Sequence, residues 1–284
     1  MNVYQIVTDR IINQLEKGVV PWQKPWIGVR DFAYSRSTGK PYSLLNQLLL
    51  DRPGEYLTFK QCQDAGGHVR KGEKSSVVVF WRMYQKQETV DGEIKTTTIP
   101  ILKYINVFHI DQCEGVDPKI KTEDLREFSP IEEAEAIAAG YSSRAGVPIF
   151  HQQQNRAFYR PSEDAIYLPA KEQFHSEAHY YATLFHEMAH STGHENRLNR
   201  LEKGFNFGDH AYSKEELVAE ISSAVLMNEI GIETESTIDN AAAYVKSWLE
   251  ALKGDNKLIV GAASKAEKAV NLIFGKQQET EAAA

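Results

Sequence analysis

The feature that most constrains this chain is the segment 185–190, which reads Phe-His-Glu-Met-Ala-His. Apolar residues recur around it at the spacing of one helical face, so the pattern predicts a packed helix that ends near Gly193. On such a helix, His186 and His190 lie one turn apart and can bind one tetrahedral metal ion. Glu187 can then act as a general base toward water on that metal. The simpler alternative is a polar helix with two solvated histidines.

A catalytic zinc site takes three protein ligands, so a third ligand must come from another element. Residues 212–220 are predicted to open a second helix, in which Ser213 is the N-cap and Glu216 closes a capping box. Glu216 and Glu220 lie one turn apart, so one can bind the metal while the other accepts the free N–H of a ligand histidine. We favour Glu216 as the ligand and Glu220 as the supporting carboxylate. The alternative is that both are first-turn acids that complement the helix dipole.

Two further predictions concern the surroundings of the metal. His194 follows His190 by four residues, but Gly193 argues that the helix has ended, so a solvated or supporting role is favoured over ligation. Residues 164–168 are predicted to form an edge strand, and an unpaired edge is a template for backbone pairing with a peptide. The predicted reaction is therefore hydrolysis of an amide bond, with Glu187 as general base.

Length and composition limit the class of protein. The 284 residues suit two medium domains better than one, and a hydrophobic fraction of 42% is enough for real cores. The two cysteines, Cys62 and Cys113, are too few for a disulfide framework. No apolar run approaches about 18 residues, and no signal-type segment opens the chain. The sequence therefore predicts a soluble, cytoplasmic protein with no membrane partner.

The charge of the chain is uneven. Residues 1–113 carry 15 Lys and Arg against 11 Asp and Glu, whereas residues 114–284 carry 17 against 28. The basic part also holds three of the four tryptophans, Trp22, Trp26 and Trp81. Cations interleaved with aromatic residues suit single-stranded nucleic acid, because bases stack on the rings while cations follow the backbone. The simpler interpretation is that most of these aromatics pack in a core.

Candidate DNA-binding residues follow from this pattern. The predicted stacking residues are Trp22, Trp26, Tyr42, Tyr56 and Phe59. The predicted phosphate-binding residues are Lys24, Lys60, Arg70, Lys71 and Lys74. The turn 70–74 is the favoured contact, because Gly72 lets backbone N–H groups approach a phosphate among three cations.

The predicted elements form an α+β chain. In the first part, a helix over 3–15 and short helices over 42–50 and 58–65 precede strands over 75–85 and 97–110, with a turn at Asp91-Gly92. The second part is predicted to contain helices and strands at 131–139, 147–151, 157–161 and 164–168, then the two metal helices, then helices at 241–252 and 262–274. Strands followed by a metal helix and a second ligand helix indicate a zincin arrangement.

Several segments also carry a resemblance to a known family. In the first part these are Pro21–Trp26, 39–50, 56–61, 66–74 and 107–112, and in the second part 186–194, Arg197-Leu198 and 215–220. The first set resembles the N-terminal domain of ArdC-like antirestriction proteins, which also occurs in plasmid TraC-type primases. The second set resembles the metallopeptidase-like domain of the same family. The resemblance implies a protein of mobile elements or phages that protects incoming DNA from restriction, binds single-stranded DNA and carries a zinc-dependent domain.

These arguments define the expected organisation. We predict a single-stranded-DNA-binding domain over 1–115, a linker over 116–130, a zincin-like metallopeptidase domain over 131–276 and a tail over 277–284. We expect one Zn²⁺, with other divalent metals as alternatives, and an unidentified protein or peptide substrate. Glu187 favours a working hydrolase, since a structural zinc needs no general base. The alternative is a DNA-binding shield whose metal site is structural or vestigial. The resemblance does not account for the hairpin at 84–100.

Overall fold

The structure is a computed structural model, and its described parts form an α+β fold. It describes residues 2–23, 33–90, 93–119, 130–201, 210–232, 246 and 248–276. The predicted turn at Asp91-Gly92, most of the predicted linker and the predicted tail lie outside these residues. Within them, no helix has both the length and the apolar character that crossing a membrane requires.

The N-terminal region is a sheet flanked by short helices. Its elements are α1 (Val3–Glu16), β1 (Ala33–Ser35), α2 (Leu44–Leu49), β2 (Gly54–Leu57), α3 (Phe59–Asp64), β3 (His68–Val69), β4 (Ser76–Val90), β5 (Glu93–His109) and β6 (Cys113–Glu114). The main sheet has the order β1-β2-β5-β4, in which β1 and β2 are parallel and the other pairs antiparallel. Strands β3 and β6 form a separate antiparallel pair.

Local signals explain the helix boundaries here. Asn2 accepts a hydrogen bond from the Tyr4 N–H and so caps α1. After α1 the chain turns at Gly18, whose φ of 76° suits glycine. Thr58 and Gln61 form a reciprocal capping box at the start of α3. The predicted helices over 3–15 and 58–65 are confirmed.

The C-terminal region contains a small sheet and a group of packed helices. Its elements are α4 (Pro130–Ala145), β7 (Ile149–Gln152), β8 (Phe158–Arg160), β9 (Ala165–Pro169), α5 (Glu177–Ser191), α6 (His210–Glu229) and α7 (Leu258–Phe274), and residues 248–254 are also helical. The sheet order is β7-β9-β8, with β7 parallel and β8 antiparallel to β9. The prediction that 164–168 is an edge strand is therefore wrong, because β9 is paired on both sides.

The two regions share one hydrophobic core. Buried residues of α1, α2, α5, α6 and α7 belong to the same cluster. Trp22 packs edge-on against Trp248, with ring centroids 5.0 Å apart. The Thr8 hydroxyl donates to the carbonyl of Asn256, and the Leu44 N–H donates to Glu267. Burial across this junction fixes the N-terminal sheet relative to the helices that carry the metal-site residues.

Candidate metal centre

The two motif histidines lie near the end of α5, on a helix held in the core. Ser176 caps the helix by accepting a hydrogen bond from the His179 N–H. Phe185 is fully buried, so the orientation of the helix is fixed by packing. His186 and His190 turn toward one another, with their Nε2 atoms 3.0 Å apart. The two imidazoles therefore lie together on one face of the helix, as the sequence predicts.

Glu216, on α6, completes a cluster of three metal-binding groups. Its Oε2 lies 3.5 Å from His186 Nε2, and its Oε1 lies 3.3 Å from His190 Nε2. Tetrahedral zinc with bonds of about 2.0–2.1 Å needs ligand atoms about 3.3–3.4 Å apart. Within the described residues, His186, His190 and Glu216 form the one group of His, Cys, Asp and Glu side chains that meets the geometry of a metal site. The three donors therefore fit a divalent cation with little rearrangement.

The second helix reaches the site differently from the prediction. Helix α6 begins at His210, so Ser213 lies inside it and the predicted capping box with Glu216 is wrong. Glu220 Oε1 lies 3.9 Å from His186 Nδ1, which is an ion-pair distance beyond hydrogen-bond range. Glu220 therefore neighbours His186 as expected, without a direct hydrogen bond to it.

The carboxylate nearest the back of a ligand histidine is Glu215, which the sequence argument missed. Its Oε1 lies 3.4 Å from His190 Nδ1, at the long end of hydrogen-bond range. Arg200 holds Glu215 in turn, through Nε at 2.9 Å from Oε2 and Nη2 at 2.8 Å from Oε1. Arg200 also donates to Thr192 and to the carbonyl of Ala189 at the end of α5. This buried arginine links α5 and α6, and no local sequence pattern indicates it.

Glu187 is oriented by the neighbouring sheet. The backbone N–H of Tyr159, on β8, donates to Glu187 Oε2 at 2.7 Å. The Glu187 side chain is buried, and its other oxygen accepts no hydrogen bond from the described residues. One oxygen is therefore anchored while the other stays available as a proton acceptor.

The charges of the site favour a cation between its carboxylates. Burial acts to lower the pKa of His190, but the carboxylates of Glu215 and Glu216 outweigh it and raise this pKa to about 10. Burial acts to raise the pKa of Glu216, but His186 and His190 hold it far below its usual range. For Glu220, burial dominates and raises the pKa. A divalent metal would supply the positive charge that these carboxylates favour.

A second network supports β8 beside the site. Asp164, in the turn between β8 and β9, accepts hydrogen bonds from the Tyr159 hydroxyl at 2.7 Å and from Arg197 Nη1 at 3.0 Å. His194 Nδ1 lies 3.8 Å from Asp164, so His194 belongs to this network and not to the group of three metal-binding residues. Its predicted supporting role, in preference to ligation, agrees with this position.

Comparisons with known proteins match both regions. Residues 1–108 match the N-terminal domain of the anti-restriction factor ArdC, and residues 132–265 match the zincin-like metallopeptidase family. The crystal structure of metal-free antirestriction protein ArdC from plasmid R388 is 36% identical to this chain, with a TM-score of 0.75. The match covers 97% of this chain and 98% of that one. The chain belongs to the ArdC family of antirestriction proteins.

Other relatives extend the comparison. A Mn(II)-bound structure of R388 ArdC is 35% identical, covers 99% of this chain and 100% of that one, and has a TM-score of 0.76. The DNA primase TraC of Escherichia coli is 37% identical over 97% of this ArdC-family chain, which spans only 27% of that primase. The uncharacterized protein y4eC of Sinorhizobium fredii is 30% identical over 99% of this chain and 94% of its own length. The predicted family and two-part α+β fold are confirmed.

The predicted DNA-binding residues of this ArdC-family protein divide by burial. Trp22 and Tyr56 are buried, with 0% and 2% exposure, so neither ring can stack on a base in the folded chain. That part of the prediction is wrong, because both rings pack in the core. Tyr42 is half-buried and packs against a small apolar cluster of the N-terminal sheet that includes Tyr56 and Val78. Lys24 and Trp26 lie outside the described residues.

The remaining candidates lie at the surface. Phe59 is half-exposed and Lys60 is exposed on α3. Lys71 and Lys74 are exposed around Gly72, whose φ is 91°. Arg70 pairs with Glu73 at 3.1 Å, so part of its charge is already compensated. Sequence reasoning did not single out the exposed rings of Phe80 and Tyr84 on β4, which flank Arg82 at alternate positions of the strand.

Proposed function

We propose that this ArdC-family protein is a zinc-dependent peptidase whose N-terminal region binds single-stranded DNA, and that it protects incoming DNA of mobile elements from restriction. The observation that carries the hydrolytic part is the meeting of His186, His190 and Glu216 beside an anchored Glu187. A site with only a structural metal would have no use for that carboxylate. The Mn(II)-bound structure of a relative supports the binding of a divalent cation, and these three residues are the group among the described residues that could hold it.

Each side chain of the site has a distinct role in this proposal. His186, His190 and Glu216 would hold the metal, which would polarise a substrate carbonyl and acidify water. Glu187 accepts the proton of the attacking water through its free oxygen, and the Tyr159 N–H keeps the carboxylate in position. Glu187 can then deliver this proton to the departing amine.

The substrate strand is reassigned from β9 to β8. Within the described residues, β8 is an edge of its sheet, and Tyr159 pairs with Ile166 of β9 on one side. The Tyr159 N–H bonds to Glu187, so it lies on the opposite, outer side of β8. The Tyr159 N–H is occupied by Glu187, so we propose that an extended peptide lies along this outer side and donates to the Tyr159 carbonyl, which brings a peptide bond beside Glu187.

Single-stranded DNA binding is the second part of the proposal. It rests on the basic balance of residues 1–113 and on the likeness of the whole chain to a segment of the TraC primases. The exposed cations Lys60, Lys71 and Lys74 and the exposed ring of Phe59 remain proposed contacts. DNA binding would bring the peptidase site to proteins bound to entering DNA.

The substitution Glu187→Gln tests the hydrolytic part. Metal content of the purified variant should stay at the wild-type level. The rate at which the metal-loaded variant cleaves a peptide library should fall about 100- to 10,000-fold. Glu195→Gln, an exposed glutamate just after α5, is the matched control and should cleave as wild type does. Undiminished cleavage by Glu187→Gln would contradict the role of this residue.

The same variant separates the peptidase from a DNA-binding shield. Transfer of unmethylated plasmid DNA into a restricting host measures protection. If protection requires hydrolysis, Glu187→Gln should lose it while still binding metal and DNA. If Glu187→Gln protects as well as wild type, the shield is the correct function and the peptidase site is dispensable for it.

A further inference from the structure

The β4–β5 hairpin extends beyond the sheet as a two-stranded ribbon with two different sides. Its register pairs Phe80 with Lys103, Arg82 with Ile101 and Tyr84 with Ile99. Directly opposed residues of an antiparallel pair share a side, and alternate residues along a strand do so too. We name the side formed by these residues the basic face: Phe80, Arg82, Tyr84, Ile99, Ile101 and Lys103.

The other side of the ribbon contacts the body of the protein near its base, while Met83 and Tyr104 on that side are 52% and 45% exposed. Val79 and Leu102 are buried in the main core, and Trp81 contacts Tyr4 of α1 with centroids 6.4 Å apart. On the side of the basic face, β4 is buried at Val78, and the six residues of the basic face are exposed or partly exposed. Phe80 is 41% exposed and Tyr84 is 58% exposed.

Charge distinguishes the two sides equally well. Over residues 78–86 and 97–105, the side of the basic face carries Arg82, Lys86 and Lys103 and no acidic side chain. Over the same residues, the opposite side carries no charged side chain at all. A ligand of this surface therefore needs negative charge together with flat apolar groups.

We propose that the basic face binds single-stranded DNA, with bases stacked on Phe80 and Tyr84 and phosphates beside Arg82 and Lys103. This inference rests on the proposed DNA-binding function and names its main surface. Four residues of strand separate the two rings by about 13 Å, and the cations lie between and opposite them. Unstacked bases offer the flat faces that such rings require, whereas a duplex keeps its bases stacked inside.

Two pairs of matched variants test the proposal in the full-length chain, with a labelled oligothymidine strand as probe. Tyr84→Ala should weaken binding about 5- to 150-fold, the range for loss of one stacked base. Tyr104→Ala removes a 45% exposed ring from the opposite side of the same ribbon and should leave the affinity unchanged.

The second pair examines the phosphate contacts. Each phosphate contact contributes about 0.7 to the slope of log affinity against log salt on a single strand. The double variant Arg82→Gln, Lys103→Gln should therefore lower this slope by about 1.4. The double variant Lys17→Gln, Lys268→Gln removes two exposed cations elsewhere and should leave the slope as in wild type.

The outcomes distinguish the surface from the function. If the wild type binds the strand and both basic-face variants bind equally well, the basic face is wrong while DNA binding by the protein stands. If the wild type does not bind at low salt, the DNA-binding function fails and this proposal with it. If the basic-face variants lose binding to anionic vesicles but keep wild-type DNA affinity, the partner is a lipid surface and the proposal is overturned.

Discussion

The metal centre and the basic face present functional groups in opposite ways. The side chains of His186, His190 and Glu216, which could hold a metal, are between 13% and 21% exposed and rise from two helices packed in the main core. Behind them, Arg200 and Glu215 form a buried ion pair. Tyr84 of the basic face instead stands on a ribbon with solvent on its outer side, and it is more than half exposed.

The difference follows from what each ligand demands. A metal ion requires donor atoms at fixed separations, so its side chains must be held by packing and by supporting hydrogen bonds. A single strand of DNA is flexible and can adjust to rings and cations that are only roughly positioned. Substitutions at the metal centre should therefore act through geometry and stability, and those on the basic face through loss of contact alone.

The largest expected effect is at the ligands themselves. His186→Ala removes one of three donors, so the purified variant should contain no stoichiometric metal. Elemental analysis after dialysis against a weak chelator measures this. His175→Ala, an exposed histidine ahead of α5, is the control and should retain the metal. Metal content equal to wild type in His186→Ala would exclude the proposed centre.

The next effect tests which aromatics are structural. Trp22 is fully buried against Trp248, so Trp22→Ala should lower the free energy of unfolding by about 3–5 kcal/mol. Trp22→Phe keeps most of the apolar contact and removes an indole N–H that has no hydrogen-bond partner among the described residues, so it should cost less. Denaturant unfolding measures both. Under conditions in which Trp22→Ala is folded, its affinity for DNA should equal that of wild type. A lower DNA affinity of the folded variant would mean that Trp22 contacts DNA.

The meeting of His186, His190 and Glu216 could be predicted from sequence because residues one turn apart lie on the same face of a helix. His186, Glu187 and His190 are fixed relative to one another by one helical turn, and Glu216 follows from the need for a third donor. The roles of Glu215 and Glu216 could not be assigned in this way, because only the packing of α6 on α5 places Glu215 at Nδ1 of His190 and Glu216 at its Nε2. The same packing reveals Arg200, which no local pattern indicates.

The aromatic DNA candidates were predicted less well because burial is not a local property. Trp22 and Tyr56 lie in a basic part of the chain, but contacts distant in sequence bury them. The strands over 75–85 and 97–110 were predicted from their composition. Their continuation as an exposed ribbon could not be predicted, because it arises from β2 pairing with β5 only at Phe108 and His109. The edge position of β8 likewise depends on strand order, which short strands with similar composition do not specify.

A smaller effect should separate the two carboxylates behind the histidines. Glu215→Gln removes the charge nearest His190 Nδ1 and should weaken metal binding about 10- to 100-fold. Glu220→Gln should weaken it less, because Glu220 lies 3.9 Å from His186 Nδ1 and makes no hydrogen bond to it. Competition with a chromogenic chelator measures both affinities, and unfolding curves show whether each variant is folded. A larger effect of Glu220→Gln would make Glu220 the main support, as the sequence suggested.

The smallest expected effect concerns Asp164, which holds Arg197 and Tyr159 beside the site. Burial acts to raise the pKa of Asp164, but the hydrogen bonds from Arg197 and Tyr159 outweigh it and lower the pKa. Because the folded pKa lies below the unfolded value of about 3.9, the stabilisation is complete above that value and is lost as pH falls through the folded pKa. Asp164→Asn should thus cost about 1 kcal/mol near neutral pH, and this difference from wild type should shrink in acid.

Urea unfolding of both proteins across the acid range measures the difference. Glu163→Gln, whose side chain is 45% exposed in the same turn, is the control and should change stability by less at every pH. A cost of Asp164→Asn that stays constant as the wild-type carboxylate becomes protonated would mean that its charge does not hold Arg197. Metal affinity of Asp164→Asn should stay near wild type, because Asp164 bonds to Tyr159 and Arg197 and is not one of the three groups that could hold the metal. A loss of metal affinity as large as that in Glu215→Gln would mean that Asp164 also helps to hold the metal centre in place.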